Sequence, residues 1–94
     1  MTSITVTVGS SVGLHARPAQ IISEKAEELG VPVTLAVPGG EPVDADSSLL
    51  IMTLGASHGD EVVVSSDDDA AARQIAELVA TDLDDPAYEG QAER

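Results

Sequence analysis

The chain has 94 residues, enough for one compact domain and too few for two. Four Lys and Arg stand against seventeen Asp and Glu, for a formal net charge of −13. A surface so negative repels a phosphate backbone and an anionic lipid face alike, which excludes nucleic acid and membrane insertion. With no cysteine in the sequence, disulfide scaffolds, thiolate catalysis and cysteine zinc sites are excluded as well.

A charge of this size on so small a chain costs self-repulsion that concentrated salt would screen, which points to a salt-adapted source. The hydrophobic share is 43%, but there is no Phe or Trp and only one Tyr, Tyr88, so Val, Ile, Leu and Ala must fill the core. The N-terminus lacks a basic region and a long apolar stretch, and the longest clean apolar run, Leu49 to Met52, is far short of a membrane span. The expected compartment is the cytoplasm.

Taken in chain order, Ile4, Val6 and Val8 alternate with Thr5 and Thr7 up to Gly9, the pattern of a half-buried strand. After Pro18, which suits a first helical turn, Ala19, Ile22, Ala26 and Leu29 fall at helical spacing, and Gly30 suits the position beyond the helix end. Val31, Val33, Leu35 and Val37 alternate again, Pro38-Gly39-Gly40 is turn chemistry, and Val43 and Ala45 resume the alternation, so a hairpin of strands two and three is expected.

Asp46 or Ser47 can cap a short helix over Ser48 to Leu54, ended by Gly55, and a fourth strand is expected from Glu61 to Ser65. Ser66 and Asp69 resemble a capping box for a last helix whose buried stripe is Ala72, Ile75, Ala76, Val79 and Leu83. Pro86 forbids continuing that helix, and residues 84–94 read as an acidic, frayed tail beyond a domain of residues 1–83. The order β-α-β-β-α-β-α, with all helices on one sheet face to bury a single apolar layer, describes an open-faced α/β (α+β) sandwich.

His15 lies in the loop before the first helix, where the outward-facing N–H groups of the first turn, near Ala16 and Arg17, can meet an anion. Arg17 is one of only four basic residues, and its guanidinium can hold phosphoryl oxygens in a bidentate manner. Imidazole is partly unprotonated at neutral pH, and a nearby cation and helix dipole favour that nucleophilic form. A phosphoramidate at His15 would be reactive enough to be passed on. On spacing alone, a lone histidine beside an arginine at a helix start is more commonly a cap or a surface residue.

The string Gly13-Leu14-His15-Ala16-Arg17-Pro18-Ala19 resembles the active-site signature of HPr, the phosphocarrier of the phosphoenolpyruvate-dependent sugar phosphotransferase system. The resemblance continues through Met52-Thr53-Leu54-Gly55 and Gly59-Asp60-Glu61 and covers roughly residues 2–83. It implies an antiparallel sheet in the order 1-4-2-3 and a phosphoryl relay rather than an enzyme. Enzyme I, charged by phosphoenolpyruvate, would phosphorylate His15 on Nδ1, Arg17 would support the phosphoryl group, and an enzyme IIA component would receive it.

The resemblance further implies a partner surface around the histidine and the short second helix, which would include Leu49 and Met52 unless these belong to the core. Ser47 aligns with the serine that regulatory kinases modify in some members. Asp46, however, stands where regulated members carry a lysine, Ser48 replaces an apolar contact residue, and helix capping is the alternative role of Ser47. A relay for a regulatory or dihydroxyacetone-kinase phosphotransferase system, and a regulatory adaptor that carries no phosphate, are the competing functions. A small hydrolase would need a nucleophile, a base and an orienting group that these spacings do not supply.

The remaining candidates are bland. His58 has no second ligand at metal spacing, residues 55–59 lack the Lys and Ser or Thr of a phosphate-binding P-loop, and Asp67, Asp68 and Asp69 suit a helix start better than a calcium loop. No cofactor and no metal are expected, and the chain is expected to be a monomer. A partner with a basic docking face is the expected complement of the acidic surface.

Overall fold

The structure is a computed structural model that describes residues 2–10, 13–14 and 16–81. His15, Leu83 and the whole of the tail from 84 to 94 therefore lie outside the described residues.

Seven elements follow one another: β1 (Thr2–Thr7), α1 (Ala16–Leu29), β2 (Val33–Ala36), β3 (Val43–Asp44), α2 (Ser48–Thr53), β4 (Glu61–Ser66) and α3 (Asp69–Ala80). The four strands form one antiparallel sheet in the order β1-β4-β2-β3. This is the α+β open-faced sandwich expected from the order of elements.

Register explains which face is buried. Ile4 pairs with Val64 and Val6 with Val62 across β1 and β4, and Leu35 sits opposite both Val64 and Val43. Alternation of side chains then sends these apolar residues to one face. The other face carries Ser3 against Ser65, whose hydroxyls lie 2.9 Å apart, Thr5 against Val63 and Thr34 against Ser65.

Onto the apolar face α1 lays Ala19, Ile22 and Ala26, α2 adds Ile51, and α3 lays Ala71, Ala72, Ile75, Ala76 and Val79. Among the described residues, the buried apolar side chains are Ala, Val, Leu and Ile, with Pro18 beside them, and none is aromatic, as a sequence without Phe or Trp requires. Each fully buried Leu or Ile contributes about 1.5–3 kcal/mol of apolar transfer free energy.

Strand limits follow the prolines. β2 is shorter than the alternation from Val31 to Val37, because Pro32 has no N–H to offer the ladder and the turn at Pro38-Gly39 opens immediately after Val37. β3 ends at Asp44, one residue before Ala45, although the Ala45 N–H still donates to the Val33 carbonyl at 2.9 Å.

The entry to α3 corrects the capping box. Asp68 is the cap, its carboxylate accepting from the Ala71 N–H at 3.1 Å, and the helix starts at Asp69. Ser66 remains in β4, paired with Val33 and Thr2, and its Oγ donates to the Pro32 carbonyl at 2.7 Å while accepting from the Asp68 N–H at 3.1 Å. Asp69 instead pairs with Arg73 one turn on, at 2.9 Å, and accepts from the Thr2 hydroxyl at 3.0 Å.

Candidate functional site

The loop that leads to His15 is held at both ends by backbone contacts. The Val8 N–H donates to the Asp60 carbonyl at 2.9 Å, and the Gly59 N–H donates to the Val8 carbonyl at 3.0 Å, so β1 runs out against the connector before β4. The Gly9 N–H then bonds the Val79 carbonyl at 3.0 Å, and a Cβ on Gly9 would lie 2.1 Å from the Ala80 oxygen, an approach only glycine permits.

Farther along, Gly13 takes a left-handed φ of 78°, and the buried Leu14 donates its N–H to the Ala56 carbonyl at 3.0 Å. Two residues after Leu14 the chain enters α1 at Ala16. Leu14 and Ala16, the sequence neighbours of His15, are thus a core anchor and a helix start.

Ala16 and Arg17 are the first two residues of α1, and no acid occupies its first turn. In an α-helix the first-turn N–H groups face outward along the axis and carry the positive end of the dipole. Arg17 is half-buried with its Nε shielded from water. The first turn of α1 therefore contains an arginine and no acid, and its N–H groups are of the kind that favour an anion.

Helix α2 packs against α1. Ser47 is its cap, the Oγ accepting from the Leu50 N–H at 3.3 Å, which decides between Asp46 and Ser47 for that role. Leu49 is 72% exposed and Leu50 40% exposed, whereas Ile51 is fully buried and Met52 is half-buried against the core. The sequence reading named Leu49 and Met52 and missed Leu50. A run of four apolar residues on a short helix cannot turn every side chain inward, and that signal was available.

His58 is exposed in the α2–β4 connector, where the neighbouring Ser57 N–H donates to the Asp60 carboxylate at 2.9 Å. Among the described residues, no group of three His, Cys, Asp or Glu could hold a metal ion. No helix among them is long and apolar enough to cross a membrane.

Comparison with known proteins identifies the family. The family described as "PTS HPr component phosphorylation site" matches residues 2–81. The chain is 47% identical over 83 residues to phosphocarrier protein HPr of Streptomyces coelicolor, covering 85% of this chain and 89% of that protein. It is 33% identical over 67 residues to the HPr of Mycoplasma pneumoniae, covering 71% and 76% respectively. Among solved structures, the HPr of Bacillus anthracis superposes with a TM-score of 0.74 at 27% identity, covering 83% of this chain and 95% of that one. HPr-C-His from Thermoanaerobacter tengcongensis gives 0.75 at 29% identity over 84% and 91%. The chain belongs to the HPr family, whose members are phosphocarrier proteins of the phosphotransferase system and not enzymes in themselves.

Proposed function

We propose that this chain accepts a phosphoryl group from charged Enzyme I on Nδ1 of His15 and passes it to a sugar-specific enzyme IIA. The observation that carries the reading is the helix start that follows His15. Ala16 and Arg17 open α1 with no acid in the first turn, so an anion formed beside them meets donors and a cation and no repelling carboxylate.

In the transfer, the Nδ1 lone pair attacks phosphorus and a N–P bond forms as the bond from phosphorus to the donor breaks. Arg17 offsets charge on the phosphoryl oxygens, and the first-turn N–H groups are oriented before the group arrives. On the second transfer the roles reverse, with His15 as the leaving group. The protein holds the group without turning over by itself.

Leu49, Leu50 and Met52 on α2 supply the apolar part of the docking surface for both partners. Ser47 works as the cap of α2, since its Oγ already accepts the Leu50 N–H. The chain acts as a cytoplasmic monomer with a domain of residues 1–83, and its acidity fits a high-salt interior.

Reconstitution tests the reading. Phosphoenolpyruvate, Enzyme I, this chain and membranes bearing the sugar-specific components should phosphorylate sugar only when the chain is present. Phosphorylation that proceeds equally without it would reject the carrier role, and a phosphorylated chain that serves only a dihydroxyacetone-kinase relay would redirect it.

A further inference from the structure

The two edges of the sheet differ. At one edge β3 is only Val43–Asp44 and is flanked by Glu41, Pro42 and Asp46, the short, acidic, proline-bearing form that turns a further strand away. At the other edge β1 runs for six residues, Thr2–Thr7, without proline or charge, and among the described residues it pairs on one side alone, with β4. A long, uncharged edge of this kind is a template for another strand.

Register identifies the groups that this edge presents. The Val8 N–H donates to the Asp60 carbonyl at 2.9 Å, so Val8 and, by the alternation of an antiparallel ladder, Val6 and Ile4 turn their backbone groups toward β4. The N–H and C=O groups of Ser3, Thr5 and Thr7 then point off the sheet. The half-buried side chains of Ile4 and Val6 line, with Arg73, Ala76, Glu77 and Ala80, a mostly apolar groove of about 270 Å³ between this edge and α3. Helix α3 follows β1 in the same direction, since the Thr2 hydroxyl donates to Asp69 at 3.0 Å and the Gly9 N–H to the Val79 carbonyl at 3.0 Å. The charges along this flank are Asp69, paired with Arg73 at 2.9 Å, then Glu77 one turn farther on, and Glu61 opposite Thr7.

We infer that a second copy of this chain occupies the edge, its β1 laid antiparallel on the first about a two-fold axis at Thr5. That axis pairs Thr5 with Thr5 and Ser3 with Thr7 of the other copy, all through outward groups, and sets Ile4 against Val6 on the α3 side. An axis at Ile4 or Val6 would meet backbone groups already bonded to β4, and one at Ser3 or Thr7 would leave much of the strand unpaired. Because α3 keeps the direction of β1, the same axis runs the two helices antiparallel across the groove. Arg73 of each copy then lies toward Glu77 of the other, and Ala76 and Ala80 leave room for the approach. Whole-chain repulsion opposes the contact, since −13 meets −13. Screening shortens the reach of that charge from about 10 Å at 0.1 M to about 3 Å at 1 M and leaves apolar burial in place, so pairing grows with salt. The contact belongs to the small, transient class, below about 1,200 Å², and the dilute chain stays the monomer of the carrier reading.

Sedimentation equilibrium of the full chain, joined to amide hydrogen exchange, tests this. The inference expects a reversible dimer with a dissociation constant of roughly 0.1 mM at about 2 M potassium chloride, weakened at least about tenfold at about 0.1 M. On dimerisation the amides of Ser3, Thr5 and Thr7 should exchange about tenfold more slowly, while those of Ile4 and Val6, bonded to β4, are protected in both states. Thr5→Pro, which removes an N–H that points off the sheet, should abolish the dimer with native circular dichroism retained. Arg73→Glu, on the exposed flank of α3, should weaken it by about threefold to tenfold, and adding Glu77→Arg should restore it, a charge exchange that keeps the test open should Thr5→Pro unfold. The inference is overturned by a chain that stays monomeric up to about 1 mM at high salt, by a dimer that weakens as salt rises, or by one that the charge exchange and Thr5→Pro leave unchanged. Slow exchange of Ser3, Thr5 and Thr7 already in the dilute monomer would assign the edge to residues 82–94 of the same copy and overturn it equally.

Discussion

The amide of Leu14 donates to the carbonyl of Ala56 at 3.0 Å, and that single bond ties the loop before α1 to the connector between α2 and β4. Gly13 makes it possible. Its φ of 78° is left-handed, and a Cβ there would lie 2.5 Å from the same Ala56 oxygen.

Gly13→Ala should therefore cost both strain and the close approach, about 1–3 kcal/mol in urea unfolding, and should also slow phosphoryl acceptance two residues away. Gly30→Ala is the comparison. Gly30 has a similar φ of 71° with nothing within 4 Å of an added Cβ, so that variant should lose about 1 kcal/mol and keep its transfer rate. Equal effects at both positions would show that the Ala56 contact is unimportant.

Arg17→Ala should leave the fold and the acceptor in place and lower the rate of transfer from Enzyme I by about tenfold to a thousandfold, the range for removing one preorganised charge donor. Arg17→Lys should recover part of it, since an ammonium supplies charge but not a planar fork. Rapid-quench kinetics with each variant measures this, and an Arg17→Ala chain as fast as the parent would remove Arg17 from the site.

Capping gives a local check on the helices. Ser47→Ala removes the acceptor of the Leu50 N–H and Asp68→Ala the acceptor of the Ala71 N–H, and each should cost about 1 kcal/mol by chemical denaturation. Ser66→Ala should cost a similar amount, about 0.5–1.5 kcal/mol, for a different reason: it removes the donor to the Pro32 carbonyl and the acceptor for the Asp68 N–H.

That contrast marks what could be read in advance. Ser66 and Asp69 have the spacing of a capping box, but register decides the matter, because pairing with Val33 and Thr2 keeps Ser66 in β4 and moves the cap to Asp68. Pairing across strands is a long-range property that local spacing does not contain. Periodicity, by contrast, is local, and it identified Ala19, Ile22 and Ala26 on α1 and Ile75, Ala76 and Val79 on α3 as core before any coordinates.

The site divides in the same way. His15 and Arg17 could be put forward from a few adjacent positions because these match the family signature from Gly13 to Ala19, spacing alone leaving a cap or surface role open. The tie from Leu14 to Ala56 joins positions 42 apart in sequence and could not be read from spacing.

Salt should act on stability. Screening relieves repulsion among seventeen carboxylates that only four basic residues oppose, so the melting temperature should rise steadily from about 0.1 M to about 2 M potassium chloride. Differential scanning calorimetry at a series of salt concentrations measures it, and a melting temperature that is flat or falls would argue against salt adaptation.

The most direct measurement of the central claim is intact-protein mass spectrometry after incubating the chain with Enzyme I, Mg²⁺ and phosphoenolpyruvate, with His15→Ala alongside. The account predicts one phosphoryl adduct that mild acid removes and that the variant lacks, as a phosphohistidine carrier requires. An adduct that survives acid, an adduct on the His15→Ala chain, or no adduct with Enzyme I of the same source would contradict it.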